Sequence, residues 1–389
     1  MSFFIGRDRE SRRAYGFDEV AIVPGRVTID PDDVKIDTQL GNIKLKIPFL
    51  ASAMDGVVDV KFAIKLGQLG GLAVLNLDGI NTKYENPDEI YQQIIETPKE
   101  KVNELIQKIY KEPIKLDLIE KRIKQIKKAK VITAVSTIPQ NAPKIAELVE
   151  SAGADIFVIQ GTVLTTRYIT TKKESVDLKK ICNKLKIPVI LGNCVSYNTA
   201  LDLMETGCVA ILVGVGPGSA CTTRGVLGIG VPQITATIDC AAARDKYYKK
   251  TGRYVSIITD GGMNTSGDIC KAFVAGADAV MLGSSFARAS EAPGKGYHWG
   301  MAMPHYYLPR GTRIYVGVTG TLKEILYGPS RTDDGTQNLV GALTTCMSSV
   351  GAKTIKELQL AELVIAPEIK TEGKLFQKTQ QVGMCKGKE

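Results

Sequence analysis

The stretch Ala210-Ile211-Leu212-Val213-Gly214 is a short apolar run, rich in β-branched residues, that ends at a glycine. Its side chains do not alternate between apolar and polar, as expected of a parallel strand that is covered on both faces. Similar runs recur along the chain, and helical stretches such as 142–152 and 266–275 separate several of them. The candidate strands are Pro48–Met54, Leu72–Asn76, Val131–Thr137, Ile156–Gln160, Val189–Asn193, Ala210–Gly214, Val255–Thr259 and Ala279–Leu282. This order predicts an α/β protein, a parallel, eight-stranded (β/α)8 TIM barrel whose active site lies at the C-terminal ends of the strands.

The segments outside these runs are interpreted as parts of one TIM-barrel catalytic domain spanning 1–389, with a barrel core at about 48–320. Residues 81–130 are polar and rich in Lys and Glu, and prolines interrupt them. We expect a helical excursion there, because the segment is too short to bury a large core of its own. The N-terminal residues 7–37 and the C-terminal extension 321–389 are expected to cover the barrel ends or to mediate assembly.

The composition indicates a soluble globular enzyme, since 44% of the residues are apolar and 23% are charged. The eight cysteines are scattered without a C-x-x-C pair, and the chain has only two histidines. This pattern argues against a zinc cluster or a disulfide framework and favours a reducing compartment. The N-terminus lacks the apolar segment of a secretory signal, and no apolar run is long enough to cross a bilayer. We therefore expect a cytoplasmic protein with no membrane partner.

The net charge of +9 comes largely from Lys-rich stretches at 121–130 and 370–388. A nucleic-acid partner would need a basic face with stacking aromatics or a reading motif, and the sequence has neither. Solvated helix faces and a loose tail account for this charge. An electropositive mouth that steers an anionic substrate is the functional alternative.

The loop from Gly214 to Arg224, directly after the sixth strand, is the densest chemical signal in the chain. Its three closely spaced glycines permit positive φ and expose backbone groups, which can hold a phosphate through N–H groups or a monovalent cation through carbonyls. Cys221 in such a loop is a candidate nucleophile, and the hydroxyl of Thr223 is a candidate proton relay. An isolated cysteine is more often a small buried apolar residue, but this setting favours the functional interpretation.

Two further glycine turns follow the seventh and eighth strands, at Asp260-Gly261-Gly262 and Gly283-Ser284-Ser285. In barrels these two loops recurrently form a phosphate site. Asp260 at a strand end suits the paired hydroxyls of a ribose. The alternative role of a helix N-cap is less suitable, because the glycines separate Asp260 from the next helix.

These motifs, taken in order, resemble those of the IMP dehydrogenase/GMP reductase family. The resemblance covers most of the barrel, and motifs of this length in this order are highly specific. The matching segments are Ala51–Asp55, which is similar to an S-P-M-D motif; Gly216–Arg224 with Gly230–Gln233, which is similar to G-x-G-S-x-C-T-T-R…G-x-P-Q; Asp260–Gly262, Ser266–Asp268 and Gly276–Ser284, which are similar to the phosphate segment; and Glu291–Gly294, Gly300-Met301, Gly341–Leu343 and Gly351–Lys353.

The resemblance implies a role for each matching residue. Cys221 would attack C2 of a purine nucleoside 5′-monophosphate, GMP or IMP, and Thr223 would activate the water or ammonia. The implied substrate contacts are Ser219, Gly262, Gly283 and Ser284 to the phosphate, Asp260 to the ribose, Ser52 and Met54 along the pocket, and Gly300 and Met301 against the base. Backbone carbonyls of Gly216, Gly218 and Cys221 would bind potassium, which only some members need. The family commonly forms homotetramers, some of which pair into octamers.

The sequence departs from the family pattern at three places. Residues 81–130 stand where most IMP dehydrogenases carry a pair of CBS modules, so no such module is expected. Only a short segment separates Met301 from Pro309-Arg310-Gly311, where the dehydrogenases have a long flap bearing the base that activates water. Arg310 also replaces the glutamate that serves proton transfer in GMP reductases, and a guanidinium cannot act as that acid or base.

The fourth strand ends at Gln160-Gly161-Thr162, where many dehydrogenases offer an acidic contact to the dinucleotide. These residues and Asn193 are the candidate cofactor contacts, and they are compatible with NADPH, with NAD as the alternative. Both family reactions pass through a purine bound at C2 to Cys221. The short flap favours NADPH-dependent reduction of GMP, and NAD-dependent oxidation of IMP is the alternative. A non-catalytic nucleotide-binding protein or an unrelated phosphate-binding barrel would explain the Cys-Thr-Thr loop less well.

Overall fold

A computed structural model describes residues 2–170, 176–300 and 312–383. Eight parallel strands, numbered β1 to β8 along the chain, close into a barrel in which β8 pairs with β1. They are β1 Phe49–Ala51, β2 Leu72–Asn76, β3 Ala134–Thr137, β4 Ile156–Gln160, β5 Val189–Cys194, β6 Ala210–Val213, β7 Ser256–Asp260 and β8 Ala279–Leu282. The predicted (β/α)8 TIM barrel is therefore confirmed.

The sequence placed all eight strands but not all of their ends. The first strand was predicted as Pro48–Met54, yet β1 ends at Ala51 because the chain turns at once, with the amide of Met54 donating to the carbonyl of Ser52 over 2.7 Å. The third strand begins at Ala134 rather than Val131, and β7 extends to Asp260. The candidate ribose ligand therefore lies on the strand itself, where the barrel fixes its backbone.

Helices lie between the strands and beyond them. They are α1 Val60–Gln68, α2 Ile80–Lys83, α3 Pro87–Glu96, α4 Lys99–Lys111, α5 Leu116–Lys128, α6 Ala142–Ser151, α7 Leu178–Lys184, α8 Tyr197–Met204, α9 Thr223–Leu227, α10 Gln233–Thr251, α11 Ser266–Val274, α12 Ser284–Ala287, α13 Leu322–Tyr327, α14 Leu339–Ser349, α15 Ile355–Leu358 and α16 Leu375–Gln380. Among the residues that the structure covers, no helix is both long enough and apolar enough to cross a membrane.

Residues 80–128 form α2 to α5. The last of these, α5, packs against α1 and α6 and so takes the place of a barrel helix between β2 and β3. Helices α2 to α4 form a separate small apolar core, to which Ile80, Tyr91 and Ile106 contribute together with Trp299. Trp299 ends the strand Tyr297–Trp299, which pairs antiparallel with Arg313–Tyr315.

The barrel interior is filled by apolar side chains such as Leu72, Val158 and Leu212. A hairpin of Thr38–Leu40 and Ile43–Leu45 adds Leu40 and Leu45 to the same cluster. It closes the N-terminal end, because the hydroxyl of Ser256, the first residue of β7, donates to the carbonyl of Gln39 over 2.9 Å. The opposite end, where the strands finish, is left to the loops that carry the polar residues.

The two chain ends meet on the outside of the barrel. The strand Val20–Ile22 pairs antiparallel with Leu363–Ile365, and α14 and α15 pack on the barrel helix α11. A further N-terminal hairpin is formed by Ser2–Gly6 and Arg9–Arg12, and short 3-10 turns lie at Phe17–Glu19 and Pro31–Asp33.

Candidate active site

Cys221 and Thr223 lie together where the loop after β6 enters helix α9. The Cys221 thiol donates to the Thr223 hydroxyl over 3.2 Å, and the Cys221 amide donates to the carbonyl of Gly218 over 3.0 Å. Cys221 is partly exposed, whereas Thr223 is buried. A thiol that can reach a ligand, paired with a fixed hydroxyl, suits nucleophilic attack assisted by proton transfer.

Glycine is required at two positions of this loop. Gly214 and Gly216 have φ of +148° and +72°, in the region that other residues rarely adopt. A Cβ at Gly214 would overlap the carbonyl oxygen of Asp260, and one at Gly216 would lie 2.7 Å from Cγ of Arg224. Gly218 does not use the same freedom, because its φ is ordinary and the space around it is open. The loop therefore passes close against β7 on one side and against α9 on the other.

Gln233, at the start of α10, ties the ends of two neighbouring strands together. Its side-chain amide donates to the carbonyl of Val213 over 2.6 Å and to that of Asp260 over 3.0 Å. The sequence marked Gln233 only as the last letter of a motif. The structure shows that it fixes the cysteine loop relative to Asp260.

Asp260 receives two amide donors at its Oδ2 atom. Asn193 donates over 2.7 Å and Gln160 over 3.1 Å, so β4, β5 and β7 converge at this carboxylate. Burial at the strand ends raises the pKa of Asp260 to about 6, and the two amides partly offset this effect by favouring the charged form. Thr265, not Asp260, caps α11, so the aspartate does not serve as its N-cap.

The candidate cofactor contacts are placed unequally with respect to this carboxylate. Gln160 and Asn193 hold Asp260, whereas Gly161 and Thr162 continue the chain beyond β4 and are partly exposed. All four residues line one edge of the barrel mouth. Their contact with a dinucleotide stays a prediction.

The candidate phosphate residues converge from separate loops. The hydroxyls of Ser219 and Ser284 lie 2.7 Å apart, which joins the cysteine loop to the loop after β8. A Cβ at Gly283 would lie 3.1 Å from Sδ of Met54 and 3.8 Å from Oγ of Ser52, so the β1 loop borders the same region. Gly262 lies against Pro217, since a Cβ there would be 3.0 Å from its Cβ. Hydroxyls and compact backbone at one place suit a phosphate group.

His298 completes this cluster and was missed by the sequence reasoning. Its Nε2 lies 3.1 Å from Oγ of Ser284, and its Nδ1 is buried with no partner in the described part of the chain. Burial, with a smaller contribution from the charge of Arg288, lowers the pKa of His298 to about 4. The imidazole is therefore neutral at pH 7. The signal that could have revealed it is its rarity, since it is one of only two histidines and stands two residues before Gly300.

Of the three remaining positions that the sequence singled out, one lies within the described residues. Gly300 follows the strand Tyr297–Trp299 and is partly exposed. Met301 and Arg310 lie outside the described residues.

The carbonyls of the predicted ion site, those of Gly216, Gly218 and Cys221, belong to one loop. The Gly218 carbonyl already accepts the amide of Cys221, which leaves its second lone pair for an ion, and the Gly216 carbonyl belongs to the same loop. Backbone oxygens suit a monovalent cation. Across residues 2–170, 176–300 and 312–383, no group of three or more His, Cys, Asp or Glu side chains could hold a metal ion.

A closed (β/α)8 barrel with a thiol, a carboxylate and paired serines at its C-terminal end is the arrangement of a barrel enzyme with a loop-borne site. Comparison with known proteins gives the family, because the profile described as IMP dehydrogenase / GMP reductase domain matches residues 14–373. The chain belongs to this family and is an oxidoreductase whose relatives act on purine nucleoside monophosphates.

Individual relatives agree with this assignment. An uncharacterized oxidoreductase of Mycolicibacterium smegmatis is 39% identical over 93% of this chain and 99% of its own length. The inosine-5′-monophosphate dehydrogenase of Borreliella burgdorferi is 33% identical over 90% of this chain and 93% of its own. A crystal structure of an IMP dehydrogenase/GMP reductase-like protein from Corynebacterium glutamicum superimposes with a TM-score of 0.89 at 37% identity, covering 94% of this chain and 98% of that one.

Proposed function

We propose that Cys221 attacks C2 of a purine nucleoside 5′-monophosphate and holds the purine covalently while a hydride is transferred. The observation that carries the proposal is the 3.2 Å contact between the Cys221 thiol and the Thr223 hydroxyl, on a loop packed against Asp260. The hydroxyl accepts the hydrogen bond of the thiol and passes its own proton to the departing amino group, so that it relays the thiol proton as the sulfur becomes nucleophilic.

The surrounding residues bind and orient the nucleotide. The paired hydroxyls of Ser219 and Ser284, with backbone at Gly262 and Gly283, hold the phosphate, and Asp260 accepts from the ribose hydroxyls. Ser52 and Met54 border the pocket beside Gly283, and Gly300 and Met301 contact the base. Binding the two ends of the nucleotide on different loops fixes C2 relative to Cys221, which is how positioning contributes to rate.

The direction that we propose is reduction of GMP to IMP and ammonia with NADPH. Addition of the thiol to C2 is followed by departure of the amino group as ammonia, which leaves a C2–sulfur bond. Hydride addition at C2 and release of the thiol then give IMP, so that GMP, NADPH and two protons yield IMP, NADP⁺ and ammonium. The short sequence between Met301 and Pro309 supports this direction, because the reductive step needs no activated water.

NAD-dependent oxidation of IMP is the second candidate. It is favoured by the relatives named inosine-5′-monophosphate dehydrogenase, one of them 33% identical over most of this chain. In that direction the thiol adds to C2 first, hydride then leaves C2 for NAD while the C2–sulfur bond remains, and water finally displaces the sulfur to release XMP. This route requires a base for water, for which Thr223 is the described candidate.

The dinucleotide supplies or accepts the hydride when it is bound. Gly161 and Thr162, which are partly exposed at the barrel mouth beside the Asp260 cluster, would contact it, with Gln160 and Asn193 behind them. The fourth strand ends in Gln160-Gly161-Thr162 without the acidic contact that many dehydrogenases offer there, which is compatible with NADPH. Potassium at the Gly216, Gly218 and Cys221 carbonyls would restrain the loop and takes no part in the proposed step.

The test follows the absorbance of reduced nicotinamide with two mixtures, GMP with NADPH and IMP with NAD in potassium buffer. A GMP-dependent fall accompanied by ammonia release, and lost in Cys221→Ser, is expected. A rise with IMP and no response to GMP would replace the preferred direction with the second candidate. If neither mixture responds and Cys221→Ser binds GMP and IMP as tightly as the parent protein, the covalent proposal is wrong.

A further inference from the structure

A chain of hydrogen bonds crosses from the β1 loop to Trp299 through the helical excursion. The Tyr110 hydroxyl, on α4, donates to Oδ2 of Asp55 over 2.6 Å. The indole N–H of Trp299 donates to the Tyr110 oxygen over 2.8 Å. Asp55 and Trp299 are fully buried, and Tyr110 is partly buried.

The direction of this chain is fixed by the chemistry of its members. An indole can only donate, so the Tyr110 oxygen must accept from Trp299 and its own proton must point to a different acceptor. The Asp55 carboxylate is that acceptor, and the amide of Ile80 donates to the same Oδ2 over 2.8 Å. Removing the Tyr110 hydroxyl would therefore leave a buried donor and a buried acceptor without this partner.

Both ends of this chain of hydrogen bonds, Asp55 and Trp299, adjoin the proposed nucleotide pocket. Asp55 follows Met54 directly, and the β1 loop that carries both residues borders Gly283. Trp299 directly precedes Gly300, a proposed contact to the base. The hydroxyl of Tyr110 thus adds a hydrogen-bonded link between two walls of the pocket that also pack directly, since a Cβ at Gly56 would lie 2.9 Å from the ring of Trp299.

The paired strand is held by the same excursion. Trp299 pairs with Arg313, whose guanidinium donates to the backbone carbonyls of Ile94 and Ile95 at the end of α3 and lies 4.4 Å from the ring centre of Tyr297. Helices α3 and α4 therefore hold both strands of this pair.

We propose that Tyr110 is a positioning residue, which sets the placement of Gly300 relative to Ser52 and Met54 and thereby the affinity for the purine nucleotide. The inference rests on the proposed function for the identity of the ligand. It extends that function by giving the helical excursion, which lies outside the barrel, a part in shaping the substrate pocket.

Several groups surround Asp55 and determine how this chain of hydrogen bonds responds to pH. Burial raises the pKa of Asp55 to about 6, while the donors Tyr110, Ile80 and Asn76 and the positive charge of Lys83 oppose this rise. Tyr91 faces the same region, and burial together with the charges of Asp55 and Asp59 raises its pKa well above the ordinary value. On the side of Trp299 the charged neighbour in the paired strand is Arg313. Without the Tyr110 hydroxyl, the pKa of Asp55 should rise further, because a donor to the charged form is lost.

The experiment uses the full chain and its single tryptophan. Tyr110→Phe keeps the ring and removes the hydroxyl. Its matched control is Tyr84→Phe, which removes a hydroxyl that donates to the carbonyl of Ile109 on the same helix over 3.1 Å, whereas Asp55 and Trp299 hydrogen-bond to Tyr110. Calorimetric titration with GMP and with IMP gives the dissociation constants. The emission of Trp299, followed from pH 4 to 8 without nucleotide, reports the state of the hydrogen bonds between Asp55, Tyr110 and Trp299.

We expect Tyr110→Phe to weaken nucleotide binding by about tenfold, the size that a lost buried hydrogen bond allows. The inflection in Trp299 emission near pH 6 should move to higher pH, and Tyr84→Phe should change neither quantity. Asp55→Asn, which removes the titrating group from the other end of the chain, should abolish the inflection and weaken binding in the same direction.

Equal affinity of Tyr110→Phe and the parent protein for both nucleotides would overturn the positioning role and leave the proposed function intact. The same holds if Tyr84→Phe weakens binding as much as Tyr110→Phe, since general loosening of the excursion would then be the cause. Failure of the parent protein to bind GMP or IMP would overturn the proposed function and this role together. If Tyr110→Phe does not fold, unchanged affinity in Asp55→Asn refutes the proposal.

Discussion

The thiol of Cys221 and the hydroxyl of Thr223 lie 3.2 Å apart, at the point where the glycine loop becomes helix α9. The thiol is partly exposed and the hydroxyl is buried, so a ligand can reach the sulfur while the protein holds the proton acceptor in place. Mutation can therefore separate nucleotide binding from proton transfer, because binding requires the loop but not the Thr223 hydroxyl.

Thr223→Val should therefore lower turnover by roughly 10²- to 10⁴-fold, the usual contribution of a positioned proton-transfer group, with little change in nucleotide affinity. Thr223→Ser should retain most of the activity, because it keeps the hydroxyl. Single-turnover kinetics and calorimetric binding separate the two effects. Thr222→Val is the matched control, since the neighbouring Thr222 is exposed and its side chain does not cap the helix. Equal losses in Thr222→Val and Thr223→Val would show that the loop, and not the proton relay, had been damaged.

Asp260→Asn should weaken nucleotide binding by roughly tenfold to a hundredfold, because a charged acceptor for the ribose hydroxyls is worth more than a neutral one. In the parent protein the affinity should fall as the pH drops through about 6, where Asp260 becomes protonated. In Asp260→Asn this step should be smaller, since only the nucleotide phosphate and Asp55, whose pKa is also about 6, still titrate in this range. Calorimetric titrations from pH 5 to 8 measure both effects. A 2′-deoxynucleotide that loses no affinity relative to the ribonucleotide would remove Asp260 from the ribose site.

His298 should change its protonation when a nucleotide binds. In the free protein its pKa is about 4, and a phosphate dianion beside Ser284 would favour the charged imidazolium and raise that value. Imidazole NMR signals measured between pH 4 and 8, with and without GMP, give the pKa directly. His305→Gln assigns the two histidines. An unchanged pKa of His298 at saturating GMP would place the phosphate elsewhere.

The sequence predicted those parts of the molecule that depend on local pattern. Short apolar runs followed by turn residues identified all eight barrel strands, and the motif around Cys221 identified the reactive loop. Contacts between residues far apart in the sequence could not be predicted in this way. Asp260 is joined to Asn193 and Gln160 across 67 and 100 residues of chain, so the role of those amides as its partners becomes visible only when the barrel closes. Tyr110 belongs to a Lys-rich amphipathic helix, and no local feature distinguishes it from a packing residue until Asp55 and Trp299 are placed beside it.

Asp278, the residue before β8, provides a stability prediction independent of the active site. Its carboxylate is buried and accepts from Arg244 over 3.1 Å, from the amide of Ile257 over 2.8 Å and from the hydroxyl of Tyr254 over 2.8 Å, and Lys356 of α15 also contacts it. Burial alone would raise its pKa, but Arg244 and Lys356 outweigh that effect and hold the pKa below the ordinary value. Asp278→Asn leaves the buried guanidinium of Arg244 with only the exposed carboxylate of Asp245 as countercharge and should lower the free energy of unfolding by about 3–5 kcal/mol.

The pH dependence follows from the sign of that shift. A carboxylate whose pKa is lower in the folded than in the unfolded state stabilises the fold above its unfolded pKa, and this contribution is lost as the pH falls through the folded pKa. The difference in unfolding free energy between the parent protein and Asp278→Asn should therefore be constant from pH 5 to 8 and shrink below about pH 4. Urea unfolding at each pH measures it. Asp239→Asn is the control, because Asp239 pairs with the exposed Arg12 and such pairs contribute at most about 1 kcal/mol. If both variants lose the same small amount of unfolding free energy at pH 7, Asp278 and its partners do not hold α15 to the barrel.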